Sequence, residues 1–305
     1  MSNLFNTDKS PLLSIVILVP LVVITTGIVQ LILILLGQGI GFDFIDIISS
    51  LDVDNPDQGH QFFIMVVQLL TSATGFILIP MLFTSVYLKA PASLLFPKFD
   101  GDFRPLILLI GATICFMIVN SVFIEWNMNV QFPENFHEWA KSKEAEVKKV
   151  TDYLTVFTSP AYFILGFITI AVGAAVGEEL LFRGIIQNLC LKLFGNIHVA
   201  IWLSAFLFSA IHMQFFGFVP RMLLGAFFGY VFYFSGNLSY AITAHFINNG
   251  LTLIMLYMYQ KEIIPYDIEN TDSVPLESVG IFLIIGVVLF WYFIRLFKNT
   301  STTQE

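Results

Sequence analysis

Long apolar segments, separated by short polar or glycine- and proline-containing stretches, constrain the fold of this chain more than any other feature. A helix needs about 20 apolar residues to cross roughly 30 Å of hydrocarbon. On this basis we predict about eight spans, at residues 12–36, 62–88, 105–125, 160–193, 199–216, 222–234, 240–259 and 279–297. Because only 12% of the residues are charged and 57% are hydrophobic, the chain lacks the polar surface of a soluble domain. We predict an all-α integral membrane protein with about eight transmembrane helices.

The charge distribution excludes one class of ligand and predicts an orientation. A net charge of −8 argues against nucleic acid as a partner, because phosphate binding needs a basic face. The first loop between spans is acidic and contains no Lys or Arg, so the positive-inside tendency places it outside the cell. Its acidic residues are Asp43, Asp46, Asp52, Asp54 and Asp57. With an even number of spans, we expect a multi-pass protein of the cell membrane with both termini in the cytoplasm.

The chain is expected to form one structural domain with three consecutive regions. Residues 1–154 contain the first three spans and end in a segment whose apolar residues recur at steps of three and four, as in an amphipathic helix. These residues are Phe136, Trp139, Val147, Val150 and Leu154. We expect this helix to lie at the membrane interface, although an ordinary solvated helix would show the same pattern. Residues 155–259 form the predicted catalytic core, and residues 260–305 hold the last span and a cytoplasmic tail.

Charged residues within the fourth predicted span indicate a functional site. Glu178, Glu179 and Arg183 lie inside an apolar helix, where an ionisable side chain is costly unless it is paired or faces water. The order and spacing of Glu179 and Arg183 favour a helical ion pair. Glu178 lies about 100° further around the helix, so it is free to exchange protons. Gly173 and Gly177 would let a neighbouring helix approach closely. A purely architectural acid–base cluster is the alternative.

A histidine in the fifth predicted span is expected to meet Glu178. His212 follows Phe208 by one helical turn, and a turn at Gly195-Asn196 would place His212 at nearly the same height as Glu178. We therefore expect the two side chains to face each other. The alternative is that His212 is a satisfied core residue, as many buried histidines are.

The seventh predicted span contributes a second polar pair. His245 and Asn249 are four residues apart and share one helical face, whereas Asn248 points elsewhere. Two such donors can hold the oxyanion that develops during attack on a peptide carbonyl, although hydrogen bonding between helices would explain them as well. With Glu178 and His212 they form a complete hydrolytic set, in which water attacks the substrate in place of a Ser or Cys nucleophile.

These motifs, Glu-Glu-x-x-x-Arg at 178–183, Phe-x-x-x-His at 208–212 and His-x-x-x-Asn at 245–249, resemble those of the CPBP family. This family comprises the CAAX proteases and bacteriocin-processing intramembrane proteases, also called type II CAAX endopeptidases or Abi proteins. The resemblance covers roughly residues 155–255. It implies an eight-span helical fold with a polar intramembrane cavity open to the cytosol and the bilayer. It also implies an endopeptidase that cuts near the C-terminus of membrane-anchored substrates, including prenylated CAAX-type proteins.

The resemblance further implies a role for each motif residue. It implies that Glu178 and His212 activate the water. His245 and Asn249 would line the oxyanion site, and Glu179 and Arg183 would support the first catalytic helix. The expected partners are a membrane-anchored protein or peptide and the lipid bilayer.

Two questions stay open at the level of sequence. The first is a metal, because Glu178, His212 and His245 could bind zinc and leave one position for water. The His-Glu-x-x-His motif is absent and the ligands would come from three separate helices, so we favour a mechanism without a cofactor. The second is catalysis itself, since a membrane scaffold or bacteriocin self-immunity protein would keep the same pocket. A proton-coupled transporter also needs intramembrane Glu and His, but here they cluster and do not line a path.

Overall fold

The structure, a computed structural model, describes residues 8–97, 101–266 and 274–301, and the regular elements in these ranges are all helical. This confirms the predicted fold class. A short 3₁₀ turn at Ala92–Leu95 separates the third helix from the fourth. The helices are, in chain order, α1 Pro11–Gly39, α2 Phe44–Ser49, α3 Gln58–Tyr87, α4 Arg104–Met128, α5 Glu134–Thr155, α6 Pro160–Phe194, α7 Ile197–Ala210, α8 Phe218–Ser235, α9 Leu238–Gln260 and α10 Leu276–Ser301.

Within the described ranges, 7 helices are long and apolar enough to cross a membrane, namely α1, α3, α4, α6, α8, α9 and α10. Large apolar side chains project from their outer faces, such as Val23 on α1, which is 65% exposed, and Ile284 on α10, which is 67% exposed. A bilayer solvates such faces directly. The chain is therefore a multi-pass membrane protein, and with the short apolar helix α7 its spans come close to the predicted eight.

Helix α7 is shorter than predicted, since it ends at Ala210 and does not reach Phe216. Its 14 residues rise only about 21 Å, which is less than the thickness of the hydrocarbon. The helix ends because the amides of His212 and Met213 bond to carbonyls three residues earlier and Met213 adopts a left-handed φ of 53°. His212 consequently lies in the loop formed by residues 211–217, and the prediction that it lies within a helix was wrong.

The turn between α6 and α7 lies where it was predicted. Gly195 ends α6 with a left-handed φ of 64°, which a glycine adopts without strain. Asn196 then begins α7 by accepting hydrogen bonds from the amides of His198 and Val199. Across this hairpin the hydroxyl of Ser204 donates to a carbonyl of α6 at 2.9 Å. The two helices thus run antiparallel side by side.

Helix α6 alternates between α- and π-helical turns. Its π-helical turns are Phe167–Gly173 and Leu180–Ile186, and the acidic pair lies in the α-helical segment between them. Such π turns are frequent at functional sites. Gly177 lets α3 approach this segment, because a Cβ there would lie 2.7 Å from Cβ of Phe76. The predicted close approach is therefore confirmed at Gly177, whereas a Cβ at Gly173 would meet α3 only in ordinary contact, at 3.8 Å.

The predicted amphipathic helix is present as α5. Leu154 near its end is buried, while Phe136 and Trp139 near its start are partly exposed and contact the ring of Phe215 in the 211–217 loop. The interfacial position of α5 stays a prediction. Its inner face lies along the cavity described below, a role that the sequence did not suggest.

Candidate active site

A cavity of about 1200 Å³ opens between α3, α4, α5, α6, α8 and α9. This volume is large enough for a peptide segment, since pockets for small ligands are typically about 300–1,000 Å³. Its apolar walls include Phe208 and Phe228. The predicted catalytic residues Glu178, His212, His245 and Asn249 all line it. Other polar residues on its walls include Glu144, Arg221 and Asn248. The structure therefore brings the predicted catalytic residues to one chamber.

The imidazole nearest to Glu178 is that of His245. Oε2 of Glu178 lies 3.8 Å from Nε2 of His245, and the two side chains are only 17% and 5% exposed. His212 lines the same cavity, but in the described part of the chain it makes no ion pair with Glu178. His212 therefore shares the cavity with Glu178 from a loop and not from a helix, because α7 ends before it, and the joint role of the two residues in activating water stays a prediction.

A fully buried network supports His245 from behind. Oε1 of Glu179 accepts hydrogen bonds from Nη1 of Arg183 and from Nδ1 of His245, both at 2.8 Å. The Glu179 and Arg183 side chains are 0% exposed, so the predicted ion pair is confirmed. Nη2 of Arg183 also donates to the carbonyl of Gly225 at 2.8 Å. These additional bonds offset part of the cost of burying the pair, while Oε2 of Glu179 and Nε of Arg183 are buried without a hydrogen-bond partner among the described residues.

The hydrogen bonds around Asn249 define which ring nitrogen of a neutral His245 carries the hydrogen. Nδ2 of Asn249 lies 3.0 Å from the carbonyl of Ile170, which can only accept, so this atom is the amide nitrogen. The same Nδ2 lies 3.2 Å from Nε2 of His245. In a neutral imidazole Nε2 is therefore the acceptor and Nδ1 donates to Glu179. His245 and Asn249 were expected to supply two hydrogen-bond donors, and their N–H groups bond here to Glu179, Ile170 and His245.

Asn248 belongs to the site, contrary to the expectation that it points elsewhere. It lines the cavity and its Nδ2 donates to Oδ1 of Asn249 at 3.0 Å. This bond fixes the same orientation of the Asn249 amide that the carbonyl of Ile170 requires. Asn248 thus helps to orient the group that touches His245.

His212 has a defined tautomer as well. Its Nδ1 lies 2.9 Å from the carbonyl of Phe208, so Nδ1 carries the hydrogen and Nε2 of the neutral ring is free to accept a proton. The 211–217 loop that carries it is held by Asn127 of α4, which donates to the carbonyl of Phe215 at 3.1 Å and accepts from the amide of Val219 at 2.8 Å.

Sequence reasoning did not identify the residues of α4 that hold this loop. Asn120 donates to the carbonyl of Pro220 at 3.2 Å, and Asn127 lies two turns further along the same face. The signal was present, because two amides on one face of an otherwise apolar span are costly in lipid.

The residues considered for zinc do not form a metal site as placed. Over the ranges that the structure describes, no three His, Cys, Asp or Glu side chains lie together in an arrangement that could hold a metal ion. Both ring nitrogens of His245 are engaged, with Glu179 and Asn249. We therefore derive no step that involves a metal bound by Glu178, His212 and His245.

Comparison with known proteins gives one family. Residues 160–251 match the family model described as type II CAAX prenyl endopeptidase, Rce1-like. The match begins at the first residue of α6 and ends within α9, so it contains the Glu178, His212 and His245 motifs. It confirms the resemblance expected over roughly residues 155–255. Neither a comparison with curated proteins nor one with solved structures gave a match.

Proposed function

We propose that this chain, which carries a Rce1-like type II CAAX prenyl endopeptidase domain at residues 160–251, is a membrane-embedded peptidase. It hydrolyses a peptide bond near the C-terminus of a membrane-anchored, CAAX-type substrate. The observation that carries this proposal is the convergence of Glu178, His212 and His245 on one cavity between apolar helices. We place both termini on the cytoplasmic side, as the acidic first loop favours.

The proposed reaction begins with water held between Glu178 and Nε2 of His212. The Glu178 carboxylate takes a proton from this water while its oxygen attacks the peptide carbonyl, and a tetrahedral oxyanion forms. Glu178 then passes the proton to Nε2 of His245, which lies 3.8 Å away. The charged imidazole donates it to the leaving nitrogen as the C–N bond breaks. The new carboxyl group then loses the second proton of the water to the amine, so the products are a carboxylate and an ammonium group.

The buried network suits the transition state better than the resting state. Glu179 accepts the Nδ1 hydrogen of His245, so it stabilises the charged imidazole as the acid of a catalytic triad does. Once Nε2 of His245 is protonated, it no longer accepts from Asn249. The N–H group of Asn249 that bonded to it is then released toward the oxyanion, while the Nε2 proton of His245 is held for the leaving nitrogen. A donor that becomes available only while the oxyanion exists stabilises it on the way to C–N bond cleavage.

The direct test is cleavage of a prenylated, membrane-anchored peptide by purified protein in liposomes, with the fragments identified by mass spectrometry. We expect Glu178→Gln to slow cleavage by about 10²- to 10⁴-fold, the usual contribution of a positioned general base. The matched control is Glu277→Gln, which changes an exposed acid in the first turn of α10 and should cleave like the wild type. Normal turnover by Glu178→Gln would rule out the proposed mechanism.

A chelator tests the absence of a metal step. Because both ring nitrogens of His245 are engaged within the protein, we expect EDTA to leave the rate of cleavage unchanged. Loss of cleavage in EDTA, with recovery on addition of zinc, would instead assign a metal to this cavity.

A further inference from the structure

Arg221, in the first turn of α8, is a cation on the cavity wall that the proposed mechanism does not use. Its Nη2 donates to Oε1 of Gln214 at 2.7 Å. Its Nη1 is buried and has no hydrogen-bond partner among the described residues. In the same part of the chain Arg221 forms no ion pair, although it interacts electrostatically with Glu144 and Glu178. An unpaired buried donor costs free energy, so this arrangement is typical of a site that a ligand completes.

The guanidinium group is held in place by its surroundings. The amide of Arg221 bonds to the carbonyl of Gly217 at 3.2 Å, and a Cβ at Gly217 would lie only 3.1 Å from Nη2 of Arg221. Asn120 and Asn127 fix the backbone just before Arg221 by their bonds to Pro220 and Val219. A positioned guanidinium loses little conformational entropy when it binds a planar anion.

The chemistry of this group points to a carboxylate. Guanidinium binds carboxylates and phosphates through paired hydrogen bonds, and the neighbouring acids Glu144 and Glu178 disfavour a doubly charged phosphate more than a singly charged carboxylate. When a peptide bond near a C-terminus is cut, the free carboxylate of the chain end lies close to that bond. If three extended residues follow the bond, for example, the distance is about 10 Å.

We propose that Arg221 binds the C-terminal carboxylate of the substrate and thereby sets how far from the chain end the peptide is cut. This inference rests on the proposed peptidase function. It assigns Arg221 a role in substrate binding, with no part in the proton transfers.

The test compares two membrane-anchored peptides that differ only in a C-terminal carboxylate or a C-terminal amide, in phosphatidylcholine liposomes. We expect the wild type to show a KM about 10- to 100-fold lower for the acid at similar kcat, since one charge-assisted contact is lost in the amide. Arg221→Met should raise the KM of the acid to that of the amide and leave the amide unchanged. Arg295→Met, which removes an arginine stacked on Trp291 of α10, should keep the preference for the acid.

Other outcomes overturn the inference. Equal KM values for acid and amide with the wild type would do so without any variant, even if Arg221→Met failed to fold. An equal rise in KM for both peptides in Arg221→Met, dependent on added anionic lipid, would assign the guanidinium to a lipid phosphate. Failure of the peptidase function itself looks different, because the wild type would then cleave neither peptide or Glu178→Gln would cleave both.

Discussion

The two sides of the cavity hold their polar groups in different ways. On the helical wall, formed by α6 and α9, hydrogen bonds link Arg183, Glu179, His245 and Asn249 in one chain, and Glu178 lies beside it, 3.8 Å from His245. The loop wall, formed by His212, Gln214 and Arg221, lies on the 211–217 loop and the start of α8, where α4 holds the backbone. Substitutions on the helical wall should therefore lower both the rate of cleavage and the free energy of unfolding. Substitutions on the loop wall should lower the rate of cleavage with little change in the free energy of unfolding.

The largest difference between the walls should appear when one arginine is removed from each. Arg183→Met leaves Glu179 charged and without its ion-pair partner in the core, so we expect a loss of about 3–5 kcal/mol in the free energy of unfolding. Arg221→Met should cost about 1 kcal/mol or less, because losing the bond to Gln214 is offset by removing an unpaired buried donor. Denaturant unfolding in mild detergent measures both. Equal losses would show that the walls do not differ in this way.

Replacing either histidine should abolish cleavage, but the two replacements should differ in how much they lower the free energy of unfolding. His245→Ala removes a bond to the Glu179 carboxylate, so we expect about 1.5–3 kcal/mol of destabilisation together with loss of cleavage. His212→Ala removes one bond to the Phe208 carbonyl, and it should lose cleavage at a cost of about 1 kcal/mol or less. Parallel unfolding and cleavage assays test this. Wild-type turnover in either variant would contradict its assignment.

The smallest effect should come from a residue that holds the loop wall without touching substrate. Asn127→Ala removes the bonds to Phe215 and Val219, so we expect about a tenfold lower kcat through misplacement of His212 and a loss of about 1 kcal/mol in stability. Asn129→Ala is the matched control, because the Asn129 side chain at the end of α4 bonds to the Glu125 carbonyl one turn earlier and to no other group among the described residues. Equal kcat values in both variants would argue against a positioning role for α4.

Features that depend on local spacing could be predicted from the sequence. The Glu179–Arg183 pair follows from a four-residue step within one helix, and the turn at Gly195-Asn196 follows from a residue suited to a left-handed φ beside a capping side chain. Long apolar segments likewise located the spans, since hydrocarbon thickness sets their length.

Features that depend on packing between helices could not be predicted. Which imidazole approaches Glu178 depends on where α7 ends and how closely α9 packs on α6, and neither is encoded in a local motif. Arg221 lies at a predicted span boundary, where a cation is ordinary, so only its burial and its unpaired Nη1 mark it. The inner face of α5 resembles any amphipathic face until the cavity beside it is seen.

The role of Glu178 as the base that activates water is tested most directly by measuring binding and single-turnover cleavage of one prenylated peptide by the same two proteins. We predict that Glu178→Gln binds the fluorescent peptide with a Kd within about twofold of the wild type and cleaves it at least about 100-fold more slowly. Cleavage by Glu178→Gln at the wild-type rate, or binding without cleavage by the wild type, would contradict this account.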